Sequence, residues 1–284
     1  MWRSFFWTSR SAESVAESLR QQGFEVTRHT IDRILRIDLK LGRRQAAKVV
    51  SLGMARDRNE HFERLAEGRN NFEFWGEPII SIDTKKKELI GNFYRPGRCY
   101  TNGQADVLDH DFPNYGEGKA IQYGVNDVRM NEGFVWLAQG SDTADLAVDG
   151  IQGWWERLGQ DRYPDTNRLL ILADCGGSNG YRLPRFRERL SELAKKIGVN
   201  IRIAHLPAYC SKYNPIEHRL FCHIHRSLQG VIIRSLNMIG NAIAKTTTSS
   251  GLRVVVQYAK NIYQAGVKAC FNPKNTSAKS GIYF

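Results

Sequence analysis

The spacing of apolar residues changes along the chain, and the change predicts where helices give way to strands. In residues 11–40 apolar positions recur every three or four residues, which predicts two short amphipathic helices separated by a turn at Gly23. Residues 55–75 predict a charged helix and linker. Apolar runs then predict strands, two in PIISIDTKKKELIGNFYR and one each in KAIQYGVNDV and EGFVWLAQG.

Helices and strands alternate in the second half of the chain. Residues 143–158 return to helical spacing, and we expect Trp154 and Trp155 to pack in the core. A strand in RLLILAD, a helix in LPRFRERLSELAKKIG, a strand in VNIRIAHLP and a helix beginning in NPIEHRLFCHIHRSL follow. This order predicts an α/β fold with a mixed sheet flanked by helices. The last stretch, FNPKNTSAKSGIYF, has neither spacing and predicts an irregular tail.

The first two helices, joined by a turn that contains glycine, form a helix-turn-helix pattern. In such a motif the second helix offers its polar side chains to a DNA groove. The residues expected on this surface are Arg28, His29, Arg33, Arg36, Arg43 and Arg44. A helical hairpin whose charges are merely solvated is the alternative. We favour DNA binding because LGRRQAAK continues the basic character beyond the second helix.

Composition predicts a polyanionic partner and argues against a membrane protein. The net charge of +12 attracts polyanions, and nucleic acid is the commonest polyanion in a cytoplasm. No apolar run approaches the ~20 residues of a membrane helix, and the first residues lack the apolar core of an export signal. A cytoplasmic location without a membrane partner is therefore predicted.

The five scattered cysteines do not indicate a disulfide framework. A zinc site at His218 and Cys222, near His223 and His225, remains a weak alternative.

Three acids stand at places where a buried strand or a helix meets a loop. Asp83 follows the first core strand, Asp174 ends RLLILAD, and Glu217 begins the last helix. If the two strands are neighbours, the three carboxylates meet at one end of the sheet. Phosphodiester cleavage uses two divalent ions, and hard cations such as Mg²⁺ take carboxylate ligands. The glycines after Asp174 would let a nucleic-acid backbone come close.

Each acid also has a purely structural explanation. Asp174 could form an Asx-turn with the glycines that follow it. Asp83 could be an exposed strand end in a lysine-rich segment. Glu217 could complete a capping box, with Asn214 as the N-cap and Pro215 as the first helical residue. Taken together with the order of the strands and the basic charge, catalysis is the better interpretation.

Four separated stretches carry a family resemblance: DTKKKELIGNFYRPGR, HDFPNYGEGKAIQYGVND, ADCGGSNGYRL and KYNPIEHRLFCHI. They resemble the insertion-sequence transposases of the ISAzo type, also called the Rhodopirellula transposase family, from about residue 11 to residue 268. The resemblance implies a ribonuclease-H-like fold and a DDE triad that falls on Asp83, Asp174 and Glu217. It also implies two Mg²⁺ or Mn²⁺ ions held by these acids, and a helix-turn-helix that binds transposon ends.

The resemblance implies hydrolysis of transposon-end phosphodiesters followed by strand transfer of the 3′-hydroxyl ends into target DNA. We expect a dimer on DNA, associated with the bacterial nucleoid. The basic residues expected to contact phosphates near the acids are Lys85, Lys86, Lys87, Arg182 and Arg185. A solvated face explains such runs equally well.

The expected organisation has four parts. Residues 1–50 form the helix-turn-helix segment, 51–76 a helical linker, 77–250 the catalytic domain and 251–284 a partly irregular extension. Relatives carry more sequence before the helix-turn-helix, and the last residues depart from the family pattern. These departures are typical of a truncated or frameshifted product. A catalytically silent DNA-binding remnant therefore stays open as an alternative, as does a ribonuclease-H-like nuclease acting on RNA–DNA hybrids.

Overall fold

The computed structural model describes residues 8–42, 58–207 and 210–270, and the backbone of residues 282–283. The chain divides into two compact units, Met1–Val50 and Ser51–Phe284. Among the described residues, no helix combines the length and the apolar character that crossing a membrane requires.

The first unit contains the two predicted short helices, α1 (Ala12–Gln21) and α2 (Arg28–Arg33), and α2 continues as a π-helical turn, Ile34–Asp38. Each helix begins at a side-chain cap: Ser11 Oγ accepts from the Ser14 N–H at 3.1 Å, and Thr27 Oγ1 from the Thr30 N–H at 3.2 Å. Between the helices Gly23 has a φ of 91°, a left-handed conformation that suits glycine. The helices contact each other, and a buried residue of each, Ala16 and Ile31, supports this contact.

The second unit is built on one seven-stranded mixed sheet, ordered β6-β3-β2-β1-β4-β5-β7. The strands are β1 (Ile79–Ile90), β2 (Gly118–Asp127), β3 (Glu132–Gln139), β4 (Arg168–Ala173), β5 (Asn200–His205), β6 (Arg253–Tyr258) and β7 (Ile282–Tyr283). β2 is antiparallel to both β1 and β3, and the other neighbours pair in parallel. The order β3-β2-β1-β4-β5 with an antiparallel β2 is the ribonuclease-H-like arrangement, so the predicted fold class is confirmed.

Helices cover both faces of this sheet. They are α3 (Arg58–Phe74), α4 (Ala144–Trp154), α5 (Gln160–Arg162), α6 (Pro184–Ile197), α7 (Cys222–Ser227) and α8 (Leu236–Ala244). A π-helical turn, Trp155–Gly159, joins α4 to α5, and another, Glu217–Phe221, precedes α7. Short 3₁₀ turns occupy Pro113–Tyr115, Gly177–Asn179 and Ser211–Tyr213. Residues 215–227 are continuously helical, and we call them the Glu217 helix.

The strands divide their side chains between two cores, because successive residues of a strand point to opposite faces. On one face, Tyr123 and Phe134 pack with α4 and α6. Trp154 and Trp155 belong to this core, and they are 1% and 8% exposed, as predicted. On the other face, Val135 packs with the Glu217 helix and α8.

The elements differ from the predictions in several places, and α8 follows the Glu217 helix, which was predicted to be the last helix. PIISIDTKKKELIGNFYR forms one strand, β1, and not two, because a register shift between Lys85 and Glu88 lets its polar segment stay paired with β2. β6 lies beyond residue 250 and extends the sheet beside β3. In the predicted irregular tail, Ile282–Tyr283 pairs with β5, and residues 271–281 and 284 lie outside the described residues.

We predict that Gly124→Ala destabilises the fold where the Glu217 helix meets the sheet. A Cβ at Gly124 would lie 2.4 Å from Phe221 Cε1 and 2.9 Å from Ile216 Cδ1. The free energy of unfolding, measured by urea denaturation, should fall by about 1–3 kcal/mol, the usual cost of overpacking. Gly68→Ala is the control: it lies within α3, and no described residue would come within 4 Å of the added Cβ, so the variant should gain about 0.5–1 kcal/mol. Equal effects of the two substitutions would contradict the close packing at Gly124.

Candidate active site

Strand register brings Asp83 and Asp174 to the same level of neighbouring strands. β1 and β4 are parallel, and the pair Ser81–Leu172 fixes an offset of 172 − 81 = 91 residues. The same offset, 174 − 83 = 91, relates the two acids, which lie two residues beyond this pair. Neighbouring strands are about 4.8 Å apart, so the backbones at these positions are close. Asp83 lies within the long strand β1, which continues to Ile90, so its alternative interpretation as a strand end is wrong.

A buried polar network fastens the Glu217 helix to β1. The side-chain amide of Asn214, which is completely buried, donates to the Ile82 carbonyl at 3.1 Å, and its Oδ1 accepts from the Ser81 hydroxyl. Ser81 Oγ accepts in turn from the Ile216 N–H at 3.0 Å. The network therefore joins Ser81 and Ile82, the two residues before Asp83, to Asn214 and Ile216, which precede Glu217.

This network overturns the capping-box interpretation of Glu217. Asn214 does precede the first helical residue, Pro215, but its side chain bonds to β1 and not to the helix. The N–H that Glu217 would have to cap, that of Asn214, donates to the Ser211 carbonyl at 2.8 Å. Within the described part of the chain, the Glu217 carboxylate has no hydrogen-bond partner, so its oxygens are available to bind a ligand.

The three carboxylates influence one another electrostatically. Burial is the largest cause that raises the pKa of Asp83 to about 7, and the charges of Asp174 and Glu217 raise it further. The Thr84 N–H, which donates to Asp83 Oδ1 at 2.7 Å, acts in the opposite direction and lowers this pKa. Burial raises the pKa of Asp174 and of Glu217 as well, and the charge of Asp174 adds to the rise at Glu217. The charge of Asp174 thus raises the pKa of both Asp83 and Glu217, and that of Glu217 raises the pKa of Asp83, which is what neighbouring carboxylates in one negatively charged site do.

Asp174 shows an oxygen without a partner. The Gly176 N–H donates to its carboxylate, as the Asx-turn interpretation requires, and this bond lowers the pKa of Asp174. Oδ1 of Asp174 is nevertheless buried with no hydrogen-bond partner among the described residues. A local turn therefore explains only part of this side chain, and a buried carboxylate oxygen left unpaired is costly unless a cation or donor meets it.

The donor set suits a hard divalent cation. Mg²⁺ and Mn²⁺ prefer carboxylate oxygens, and the site supplies three mutually repelling carboxylates, one with an unpaired buried oxygen. Across the described residues, no three His, Cys, Asp or Glu side chains are arranged closely enough to hold a metal ion. The acids thus share one region without forming a ready-made ligand cluster.

A fourth acid, Asp142, lies at this site and was not among the predicted residues. Its Oδ1 accepts from the Thr84 hydroxyl at 3.0 Å, and its charge raises the pKa of both Asp83 and Asp174. Asp142 precedes Thr143, the N-cap of α4. In the sequence, SDTAD reads as an ordinary helix start, so no local signal distinguishes Asp142 from a capping residue.

The predicted phosphate contacts near the acids fall into two groups. Lys86, Lys87 and Arg182 are exposed. Lys85 is buried and donates to Glu88 Oε1 at 2.8 Å. Arg185 donates to Asp145 at 2.7 Å and to Glu188 at 2.9 Å, and its hydrogen bond to Asp145 raises its pKa. The charges of Lys85 and Arg185 are therefore paired within the fold.

On α2, Arg28, His29 and Arg33 are exposed, and the exposed Arg36 pairs with Asp32 at 3.0 Å. Arg43 and Arg44 lie outside the described residues. DNA contact by all six residues stays a prediction.

The zinc alternative gains no support. His218 Nε2 bonds to the Lys212 carbonyl at 2.6 Å, and the Cys222 thiol donates to the His218 carbonyl at 3.0 Å. The described residues contain no metal-binding cluster around them.

We predict that Asp83→Asn raises the free energy of unfolding of the metal-free protein. The pKa of Asp83 rises from 3.8 to about 7 on folding, so the folded state binds the proton of this carboxyl group more tightly than the unfolded state does. The ionised carboxylate therefore lowers the free energy of unfolding increasingly as pH rises from about 4 to 7. At pH 8 the substitution should gain about 1–3 kcal/mol, and the gain should vanish toward pH 4. Urea denaturation in EDTA measures it, with the exposed Asp165→Asn as the control. A gain independent of pH would contradict the raised pKa.

The fold and the site together define a ribonuclease-H-like protein with several acids gathered at one end of its central sheet. Residues 2–276 match the family described as the Rhodopirellula transposase DDE domain, and the chain belongs to this family. No curated protein matches the chain by sequence.

Solved structures of the Mos1 transposase are similar to the chain. They include the paired-end complex with the left transposon end (17% identity, TM-score 0.48), the mariner paired-end complex with Mn (18%, 0.48) and the strand transfer complex (18%, 0.47). Each match covers 82% of this chain. The chain spans 65%, 65% and 64% of the lengths of these Mos1 chains, respectively.

Proposed function

We propose that this chain is a DNA transposase of a bacterial insertion sequence, which hydrolyses the phosphodiesters at the transposon ends and transfers the freed 3′-hydroxyls to target DNA. The observation that carries the proposal is the meeting of Asp83, Asp174 and Glu217 at one site of the sheet. Membership of the DDE transposase family supports the same reading.

Asp83, Asp174 and Glu217 would hold two Mg²⁺ or Mn²⁺ ions. When bound, such ions activate the attacking oxygen and neutralise charge on the departing one. The N–H of Thr84 orients the Asp83 carboxylate, and the N–H of Gly176 orients that of Asp174. Asn214 fixes the start of the Glu217 helix against β1, so that Glu217 is aimed by a buried network and not by an exposed loop.

DNA would be held by exposed basic residues in both units. Near the acids, Lys86, Lys87 and Arg182 have no carboxylate partner among the described residues and are available to phosphates. In the first unit, the exposed side of α2 would recognise the transposon ends. Because excision requires cleavage at two ends, we propose that two copies act together on DNA.

Nicking and joining of a supercoiled plasmid that carries the gene's native flanking DNA tests the proposal, with Mg²⁺ or Mn²⁺ and with EDTA as the blank. Metal-dependent nicks at the ends, followed by joined products, are expected. Binding without products in either metal would instead favour the silent DNA-binding remnant. Cleavage of RNA–DNA hybrids without joining would favour a nuclease of the same fold.

A further inference from the structure

A polar cavity of about 460 Å³ lies beside the Glu217 helix, apart from the four acids. Its walls come from the turn between β2 and β3, the Glu217 helix and the turn before β6. We call it the basic pocket because Arg129, Arg219, His218 and His223 line it, and the hydroxyl residues Thr248 and Ser250 line it as well. No Asp or Glu is among the described residues that line it.

The positive charge of the basic pocket is not neutralised within the fold. Neither Arg129 nor Arg219 forms an ion pair with any residue that the structure describes. The nearest acids on the same hairpin are already bound to other side chains. Asp127 accepts from the Tyr163 hydroxyl at 3.0 Å, and Glu132 binds two other arginines, at 2.8 and 2.7 Å. The Arg129 guanidinium lies beside Gly76 and that of Arg219 bonds to the Val128 carbonyl, so both keep N–H groups that no described carboxylate occupies and that are available to an anion.

The pocket walls are fastened together before any ligand binds. Nη1 of Arg219 donates to the Val128 carbonyl at 2.6 Å, which aims the guanidinium and leaves its other N–H groups free to donate. The Asn131 amide donates to the Ser250 carbonyl at 3.1 Å, and the hydroxyls of Ser250 and Thr248 lie 2.9 Å apart. Guanidinium forks and hydroxyl donors on a fixed frame are the groups that recognise phosphate oxygens.

The sheet fixes the distance between the basic pocket and the acids. Asp83 pairs with Gly124 on β2, whereas the Val128 N–H donates to the Ile79 carbonyl, four residues earlier on β1. Four residues of strand span about 13 Å. One strand of B-DNA carries a phosphate every 3.4 Å along the axis, so this distance corresponds to about four base pairs.

We propose that the basic pocket binds a phosphodiester of the DNA backbone about four base pairs from the phosphate at the acids. The assignment rests on the proposed function for the position of the DNA, and it adds a second contact that sets the path of the duplex. DNA runs along the Glu217 helix from the acids to the β2–β3 turn. The pocket contacts phosphate oxygens and not bases, so it contributes affinity and register without sequence preference.

Arg129→Gln tests the basic pocket, with Arg157→Gln as the matched control. Both arginines are exposed, and Arg157 follows α4 on the other face of the sheet. Binding to a native-flank duplex is measured by fluorescence anisotropy in EDTA across a range of salt concentrations. Arg129→Gln should raise Kd about 3–10-fold and reduce the salt slope by about 1, while Arg157→Gln changes neither. Equal free energies of unfolding of the two variants exclude a folding defect.

A duplex with single uncharged methylphosphonates, placed two to six base pairs from the cleavage position, locates the contact. One position should weaken binding by the wild type and have no further effect on Arg129→Gln. The proposal is overturned if Arg129→Gln binds like Arg157→Gln, or if no methylphosphonate separates the wild type from the variant. It is also overturned if Arg129→Gln binds inorganic phosphate less tightly than the wild type does but binds the duplex equally well. Because binding is measured without metal, a wild type that fails to nick DNA refutes the proposed function and not the pocket.

Discussion

We expect Asp174→Asn to lose the proposed metal-dependent nicking and joining while DNA binding survives. The substitution removes a charged oxygen ligand but keeps the size of the side chain, so the fold should be intact. Losing one ligand of the proposed two-ion site should remove several kcal/mol of charge stabilisation, and the cleavage rate should fall on the order of 10³-fold. Asp83→Asn and Glu217→Gln should each lose about as much, because residues that act as a unit are not additive.

Cleavage of the native-flank plasmid measures these rates, and anisotropy measures binding in parallel. Asp165→Asn, an exposed acid on the same domain, is the control and should cleave like the wild type. Wild-type cleavage by any one of the three variants would remove that acid from the proposed site. A wild type that makes no more product than the variants would support the remnant interpretation for this copy.

Asn214→Ala should cost more stability than any other substitution considered for this chain. It leaves the Ile82 carbonyl and the Ser81 hydroxyl without their buried partner. Each unsatisfied buried group costs about 1–3 kcal/mol, so the free energy of unfolding should fall by about 2–4 kcal/mol. Cleavage should fall as well, because the start of the Glu217 helix loses its attachment to β1.

Urea denaturation and plasmid cleavage test this result against Asn237→Ala, which truncates an exposed asparagine on α8. The isosteric Asn214→Asp keeps the acceptor for Ser81, and in its neutral form its O–H can donate to the Ile82 carbonyl, so its loss of stability should be smaller at a pH where the acid is protonated. If Asn214→Ala and Asn237→Ala unfold alike, the asparagine does not hold the helix.

Local patterns located most elements but not all of them. Helical spacing located α1 and α6, charged residues indicated α3, and apolar runs located β2, β3, β4 and β5, because period and capping act within a few residues. α8 and β6 were not predicted. The segment at Lys85 was misread as a break between two strands, since three lysines resemble a turn. A register shift keeps them in β1, and the partner strand that permits it lies more than 30 residues further along the chain.

The three acids of the candidate site could be predicted from the sequence, but the residues that hydrogen-bond around them could not. Asp83 and Asp174 stand out because apolar runs end near them. Asp142 resembles a helix-capping residue until the fold brings it to Thr84, 58 positions away in the sequence. The Asn214 bond to Ile82 spans 132 positions, and no local spacing reports such a contact.

The sequence by itself determined most of the elements and their order, the positive charge that favours DNA, and three acids that follow an apolar run or begin a helix. Tertiary structure alone decided which strands are neighbours, and through the common offset of 91 residues it brought Asp83 level with Asp174. It also decided which cations are paired, because Lys85 and Arg185 contact carboxylates, whereas Arg129 has no carboxylate partner in the part of the chain that the structure describes. Periodicity records which face of an element is buried, whereas register and charge pairing depend on residues that only folding brings together.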